Sequence, residues 1–413
     1  MPIVVQKYGG TSVGTPERIQ HVADRVVRTR EAGNDVVVVV SAMGDTTDVL
    51  FRMASELTQV PEPRELDMLL TSGERIAMSL LAIAVNARGC KAASYTGSQA
   101  GIITDTQHGK ARIVEVRPAR IQESLGAGNV VILAGFQGLS TEFDITTLGR
   151  GGSDTPAVAM AAALGAEVCE IYTDVEGVFT ADPRIEPRAR RLDKITYEEM
   201  LELSAAGAKV LQLRSVEYAR RHKVRLHVLP SFSEGEGTWV VEEDEIPMLE
   251  QALIRGVALD AEEAKVTIDD VPDRPGIAAS IFKAVAAEGI NVDLIVQNVS
   301  HDGRTDLSFT IPRADLPRAE AVLQGIVSDI GAQRYSADDG IAKLSLVGAG
   351  MKSNPGVAAD MFDALATEGI NIDMISTSSI RISCVIRAED AQRAVRTVHQ
   401  RFGLDEALLE GEG

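Results

Sequence analysis

"VVQKYGGTSVG" (residues 4–14) is an apolar run that breaks at a lysine, two glycines and two hydroxyl residues. Lys7 stands at the C-terminal edge of the run, followed by Gly9, Gly10, Thr11, Ser12 and Gly14. A turn this tight aims backbone N–H groups and one cation at a single point, which suits a phosphate. The same residues equally describe a plain strand-to-helix turn whose lysine reaches for water. The stretch matches neither the Walker spacing nor G-x-G-x-x-G, so it indicates no ordinary P-loop or Rossmann site.

Outward from this strand, residues 1–230 alternate apolar runs with helix-like segments. "DVVVVVSAMG", "GNVVILAGFQG", "EVCEIYTDVEG" and "VRLHVLP" read as strands, with helical patterns near 16–32, 65–88, 155–165 and 196–222. Continuous Val/Ile runs without polar alternation predict strands buried on both faces of a parallel sheet. Strands alternating with helices predict a layered α/β domain whose ligands gather at the C-terminal ends of the strands.

Residues 231–250 ("SFSEGEGTWVVEEDEIPMLE") shift to acidic, glycine-containing composition and read as a linker after a first domain spanning 1–230. Beyond it, "PGIAASIFKAVAAEGINVDLI" (275–295) recurs as "PGVAADMFDALATEGINIDMI" (355–375), 80 residues on and without a gap. Ile277, Ile281, Phe282 and Val285 recur as Val357, Met361, Phe362 and Leu365, a helical stripe in both copies. Two similar α+β modules follow, at 251–335 and 336–413; on one reading the first shares its opening segment with the second.

The chain has 413 residues and a formal net charge of −19, which opposes nonspecific binding to nucleic acid or anionic membrane. No apolar run suggests a membrane span, and no secretory signal is apparent. The three cysteines have neither metal-ligand spacing nor a disulfide framework, so a reduced, cytoplasmic setting is expected. The basic clusters 184–194 and 220–225 read either as local anion contacts or as solvated faces.

Three further stretches sit where strands end. In "TLGRGGSDTPAVAMAAALGA" (147–166), Asp154, Thr155 and Pro156 suit a helix start. Capping does not explain Arg150 between Gly149, Gly151 and Gly152; a guanidinium beside bare backbone cradles a carboxylate or phosphate. In "YTDVEGVFTADPR" (172–184), Thr173 and Asp174 end a strand, and Asp182-Pro183-Arg184 forms a turn, open to nucleotide, metal or purely structural use. In "LLTSGERIAMSLLA" (69–82), Glu74 favours the helix dipole and could also receive an ammonium.

Together "KYGGTSVG", "VVVVVSAMGDTTDVL", "TSGER", "AGFQG", "GRGGSDTPA" and "TDVEGVFTADPR" resemble the aspartokinase family, and the duplicated tail resembles its paired ACT regulatory domains. The resemblance covers nearly the entire chain. It implies a three-layer α/β/α amino-acid kinase domain with a mainly parallel sheet, followed by two ferredoxin-like ACT modules. The implied reaction moves the γ-phosphoryl group of ATP, carried with Mg²⁺, to the side-chain carboxylate of L-aspartate.

The resemblance also distributes roles. Lys7 and Asp154 match the family's catalytic lysine and aspartate, with Arg150 on a substrate carboxylate. Tyr8, Gly9, Gly10, Thr173, Asp174, Thr180, Asp182, Arg184 and Lys209 match its nucleotide-side residues. Ser41, Thr47, Glu74, Phe136, Gly151, Gly152 and Ser153 match its aspartate pocket, Glu74 on the ammonium side. No metal ligands of the protein's own are implied. For lysine or threonine as effector, the corresponding residues are Asp273, Gly276, Ile277, Ala278, Asn291, Asp293, Gln297, Asn298, Asn371, Ile372, Thr377 and Ser378. Ser379 stands where the family commonly has a glutamate. Met248 could start a separate regulatory subunit, giving an α₂β₂ enzyme; a homo-oligomer is the other expectation. The competing readings are another amino-acid kinase, acting on glutamate, a carbamate or a nucleotide, and a catalytically silent amino-acid sensor.

Overall fold

A computed structural model describes residues 1–149, 151–246, 253–298, 302–351 and 354–406. Two compact units emerge: 1–178, 191–204 and 209–247 form the first, and 179–190, 205–208 and 248–413 the second.

The first runs β1 (Ile3–Tyr8), α1 (Pro16–Glu31), β2 (Asp35–Val40), α2 (Thr46–Leu57), α3 (Pro63–Leu70), α4 (Ser72–Asn86), β3 (Ala92–Tyr95), β4 (Ile102–Thr104), β5 (Ile113–Val116), α5 (Ala119–Gly126), β6 (Val130–Ala134), β7 (Gln137–Ser140) and β8 (Ile145–Thr147). It continues with α6 (Asp154–Leu164), β9 (Val168–Thr173), β10 (Lys194–Thr196), α7 (Tyr197–Ala205), α8 (Leu213–His222), β11 (Leu226–Pro230) and β12 (Thr238–Val241). Eight strands form one sheet in the order β10-β12-β11-β9-β1-β2-β6-β3, parallel except where β12 runs antiparallel to β11. Val36–Val40 are all buried, as expected of a strand covered on both faces. Strand alternation sends Val36, Val38, Val40 and Tyr8 toward α1 and α4, where they form one core. The alternate residues, Lys7 among them, face the side on which α6 packs. A second sheet, β5-β4-β7-β8, is short and mostly antiparallel.

One expectation changes here. Residues 231–246 are not simply a linker, because "TWVV" forms β12 and extends the main sheet. Four residues flanked by glycines and acids are too few to register against that composition. The stretch Pro63–Asn86 is also long and apolar enough to cross a membrane by length and composition. It breaks into two helices at Thr71, is more than half buried, and carries the buried carboxylates Asp67 and Glu74. It is a core helix pair.

The second unit contains β13 (Leu253–Asp260), β14 (Glu263–Pro272), α9 (Ile277–Ala287), β15 (Ile295–Gln297), β16 (Arg304–Pro312), α10 (Leu316–Ile330), β17 (Arg334–Asp338), β18 (Ile341–Ala349), α11 (Gly356–Thr367), β19 (Met374–Thr377), β20 (Arg381–Arg387) and α12 (Ala391–Arg401). The two repeats form separate antiparallel sheets, β15-β16-β14-β17 and β13-β18-β20-β19. Ile281 and Val285 fill the first core; Met361 and Leu365 fill the second. Each such side chain contributes about 1.5–3 kcal/mol when fully buried. β13 precedes the first module in sequence yet pairs with β18, so it completes the second module's sheet. Residues 179–190, expected within the 1–230 domain, also fold with this second unit.

Candidate active site

The site assembles at the C-terminal ends of β1, β2 and β6 and the N-terminal ends of α4 and α6. β1 lies between β2 and β9, so the chain leaves the sheet's centre in both directions, which opens a crevice at the strand ends. Lys7 Nζ lies 2.7 Å from Asp154 Oδ1, with side-chain exposures of 13% and 7%. Asp154 opens α6, where the helix dipole favours a carboxylate. Its second oxygen accepts the Gln212 N–H at 3.3 Å. The pair holds an oriented cation beside the glycine turn.

Gly10 is required by close approach: a Cβ there would stand 2.8 Å from the Ala42 carbonyl oxygen. The turn after β1 thereby locks to the turn after β2, through Gly44 N–H donating to Gly10 O at 3.0 Å. The Gly9 N–H makes a long bond to Tyr172 O at 3.4 Å. A Cβ on Gly9 would come within 3.6 Å of Lys7 Nζ, so bare backbone keeps that ammonium approachable.

Glu74 lies in the first turn of α4 and is 2% exposed. One oxygen accepts the Ala42 N–H at 3.1 Å; the other is buried and unpartnered. Burial pushes its carboxyl up to about 7, against the pull of backbone N–H groups, its own and that of Ala42. An orphaned carboxylate oxygen at a strand end suits an incoming ammonium. Ser41, one residue past β2, donates its N–H to Tyr8 O, and Thr47 lies in the first turn of α2, half-buried.

Phe136 follows β6 with φ at +65°, a strained conformation for an aromatic residue and one that concentrates at ligand sites. It walls the Gly152 backbone: a Cβ on Gly152 would meet its ring at 3.1 Å. Gly135, which sequence reasoning passed over inside "AGFQG", leaves room for Ser153, whose Oγ would lie 2.8 Å from any Cβ there. Gly151 has φ at +67°. Arg150, placed by sequence on a substrate carboxylate, lies outside the described residues.

Not every expected residue joins this cluster. Tyr8 was expected on the nucleotide, but its side chain is fully buried, stacked on Tyr172 at 4.6 Å and hydrogen-bonded to Gln6. Alternation turns it from Lys7 into the core. Thr180 was also expected there. It is 1% exposed in the second unit, and its hydroxyl meets His399 Nε2 at 2.9 Å and the Arg190 N–H at 2.9 Å. Its carbonyl accepts from Val257 at 2.7 Å, so its polar groups are spent on folding. Asp182 and Arg184, also in that unit, pair with each other at 2.7 Å. Thr173 ends β9 with its hydroxyl on Asp174 at 3.1 Å, and Lys209 is exposed. The two basic clusters are largely neutralised locally, for example Arg188 by Glu186 and Arg220 by Glu198.

In the second unit, Asp293 is engaged rather than open: its carboxylate binds Lys343 Nζ, with Arg381 3.9 Å away. Ile277, Ala278 and Ile372 pack half-buried against the module cores. Gly276 has φ at +98° before α9. Asp273 and Asn298 bond through their backbones to Gly303 and Asp306, and Ser378 to Arg381. Asn291 and Asn371 precede the edge strands that hold Gln297 and Thr377. Met248 lies outside the described residues.

The amino acid kinase family matches residues 2–230, and ACT domains match 265–327 and 344–402. The chain is 56% identical to the aspartokinase of Mycolicibacterium smegmatis over 99% of both chains. The chain belongs to the aspartokinase family. It is likewise 52% identical to the Pseudomonas aeruginosa aspartokinase over the full length of both. E. coli aspartokinase III, solved with aspartate and ADP, superposes with a TM-score of 0.83 at 26% identity, covering 97% of this chain and all of that one. Both the fold class expected from sequence and the paired ACT tail agree with these relatives.

Proposed function

We propose that the chain transfers the γ-phosphoryl group of ATP to the side-chain carboxylate of L-aspartate, giving 4-phospho-L-aspartate. The observation that carries this reading is the Lys7–Asp154 pair beside a glycine turn at the strand ends. Phosphoryl transfer asks the protein for alignment and for positive charge between two anions. Lys7 supplies that charge, and Asp154 aims it. No general base is needed, because the acceptor carboxylate is already ionised near neutral pH. Glu74 receives the substrate ammonium, and Ser153 with the Gly151–Gly152 backbone faces a substrate carboxylate joined by Arg150. Thr173, Asp174 and Lys209 border the nucleotide.

Among the described residues no group of three or more His, Cys, Asp or Glu side chains could hold a metal ion. Asp154, with one oxygen on Lys7, has a carboxylate to offer, which fits Mg²⁺ carried chiefly by the ATP phosphates. The ion would neutralise charge on those phosphates.

The reading extends to regulation by lysine, threonine or both through the ACT modules, to an oligomer, homomeric or α₂β₂, and to a cytoplasmic setting. E. coli aspartokinase III has been solved with lysine and aspartate as well. A coupled assay offering L-aspartate, L-glutamate and UMP with MgATP tests the reaction; turnover only with aspartate is expected. Absence of hydroxamate from aspartate, ATP and hydroxylamine would make the chain a silent amino-acid sensor.

A further inference from the structure

Asp67 lies on α3 and is 1% exposed. A carboxylate among apolar helix residues is costly unless donors satisfy it. Its donors all come from outside α3. His108 Nδ1 lies 2.8 Å away, the Gly109 N–H 3.1 Å from each oxygen, and the Thr147 hydroxyl 2.5 Å. A carboxylate only accepts, so Nδ1 is the donor in this contact.

Thr147 ends β8 and leads directly into residues 148–153. The next residue is gripped as well. Leu148 N–H donates to Phe136 O at 2.9 Å, and Leu148 O accepts from Arg214 Nη1 at 2.8 Å. Arg214 Nη2 also donates to Ala111 O at 3.0 Å, and Ala111 N–H donates to Thr147 O at 2.9 Å. The His108–Gly109 turn in turn backs onto the loop: a Cβ on Gly149 would come within 3.4 Å of Gly109 O. One buried carboxylate therefore ties together α3, the 108–109 turn and the strand end that launches the glycine loop.

We propose that Asp67 is a positioning residue for the phosphoryl acceptor, acting through Thr147 and Gly109 to set the height of Leu148, Gly149 and Gly151–Ser153. This rests on the reading that Gly151, Gly152 and Ser153 face the aspartate carboxylate. A loop of three glycines cannot fix its own path; the tether supplies what the glycines lack. A fold needing only packing at this position would be served by leucine.

The test is steady-state kinetics on the full chain, varying aspartate and ATP separately, with hydroxamate as readout. Asp67→Ala raises the aspartate KM about tenfold or more, since small misplacements of a substrate-positioning loop are costly, and leaves the ATP KM within about twofold. Asp67→Asn recovers most of the loss, because its amide oxygen still accepts from Thr147 and Gly109 while His108 changes tautomer. Thr147→Val, which removes one hydroxyl and keeps the shape, raises the aspartate KM several-fold and serves if Asp67→Ala fails to fold. A parallel change in both KM values and kcat, an Asn variant no better than Ala, or Thr147→Val at the unaltered KM overturns the proposal. Ser153→Ala separates it from the reading beneath. If that variant leaves the aspartate KM unchanged, the assigned loop is wrong; if it acts while Asp67→Ala does not, only the positioning role falls.

Discussion

Lys7 and Lys343 are both screened lysines facing carboxylates, yet the molecule treats them oppositely. Lys7 has Asp154 at 2.7 Å, keeps 13% of its side chain exposed and sits beside glycines that leave its ammonium accessible. Lys343, in the second unit, is 1% exposed and surrounded by Asp293, by Glu263 at 3.4 Å and by Asp260 at 3.9 Å. Burial alone would pull Lys343 down, but Glu263, Asp293 and Asp260 together hold its ammonium above the ordinary lysine value. A cation meant for a ligand is left with one carboxylate and part of its surface open. A cation meant for folding is surrounded. The contrast separates chemistry from architecture without appeal to either motif.

The largest expected effect breaks the first half. Lys7→Ala lowers kcat about 10³-fold or more, the scale of losing a charge-stabilising group at a reacting centre. Titration calorimetry on the same variant finds effector binding by the tail intact. Near-normal turnover would strip Lys7 of its role. Next comes the second half. Lys343→Met leaves Glu263 and Asp260 without their shared cation and Asp293 with Arg381 alone, and costs about 3–5 kcal/mol in denaturant unfolding, with kcat in the absence of effector unchanged. Because the folded pKa of Lys343 is raised, its stabilisation is complete below the ordinary lysine value and disappears as pH rises through the folded one. The variant therefore loses the native protein's alkaline decline.

Glu74 sharpens the comparison from the anionic side, since it is buried like Lys343 but has no cation to meet. With its carboxyl near 7, the ionised form that binds an ammonium is scarce at pH 6 and dominant at pH 8. The aspartate KM should therefore fall about tenfold between those values, following the ionised fraction. Glu74→Gln flattens the profile. In the free protein the sign reverses: a raised carboxyl favours stability below its ordinary value and loses it as pH rises through about 7. A pH-independent KM in the unaltered chain would remove Glu74 from the ammonium site.

Much of this is legible in the sequence. The valine run of β2 announced a strand covered on both faces, and the gapless 80-residue repeat placed Ile281 and Met361 in matching cores. Lys7 and the glycines were singled out by composition at a strand end. What stayed hidden depends on partners far apart in sequence. Nothing near Asp293 foretells that Lys343 will occupy it, and nothing near Thr180 foretells His399, 219 residues away. Asp67 escaped notice because a single acid in an apolar helix reads as surface until its donors are known. Short β12 failed for a different reason: its flanks carry the signal of a loop.

The smallest effect decides what the contrast between the two lysines rests on. Asp293 and Asp373 occupy the same place in the two repeats, and each is met by a lysine from the other module, Lys343 for one and Lys265 for the other. Lys265 Nζ lies 2.9 Å from Asp373, but both side chains keep about a fifth of their surface in water, 21% and 20%. Solvent screens such a pair, so Lys265→Met should cost no more than about 1 kcal/mol. If it costs as much as Lys343→Met, pairing geometry and not burial governs these modules, and the partial exposure of Lys7 ceases to be a mark of function. If it costs little, two pairs made by one duplicated design differ in how far water is excluded and in the two further carboxylates, Glu263 and Asp260, that only Lys343 meets, and the same yardstick, applied to Lys7 and Asp154, leaves the incomplete burial of Lys7 to be explained by the anions it is to meet.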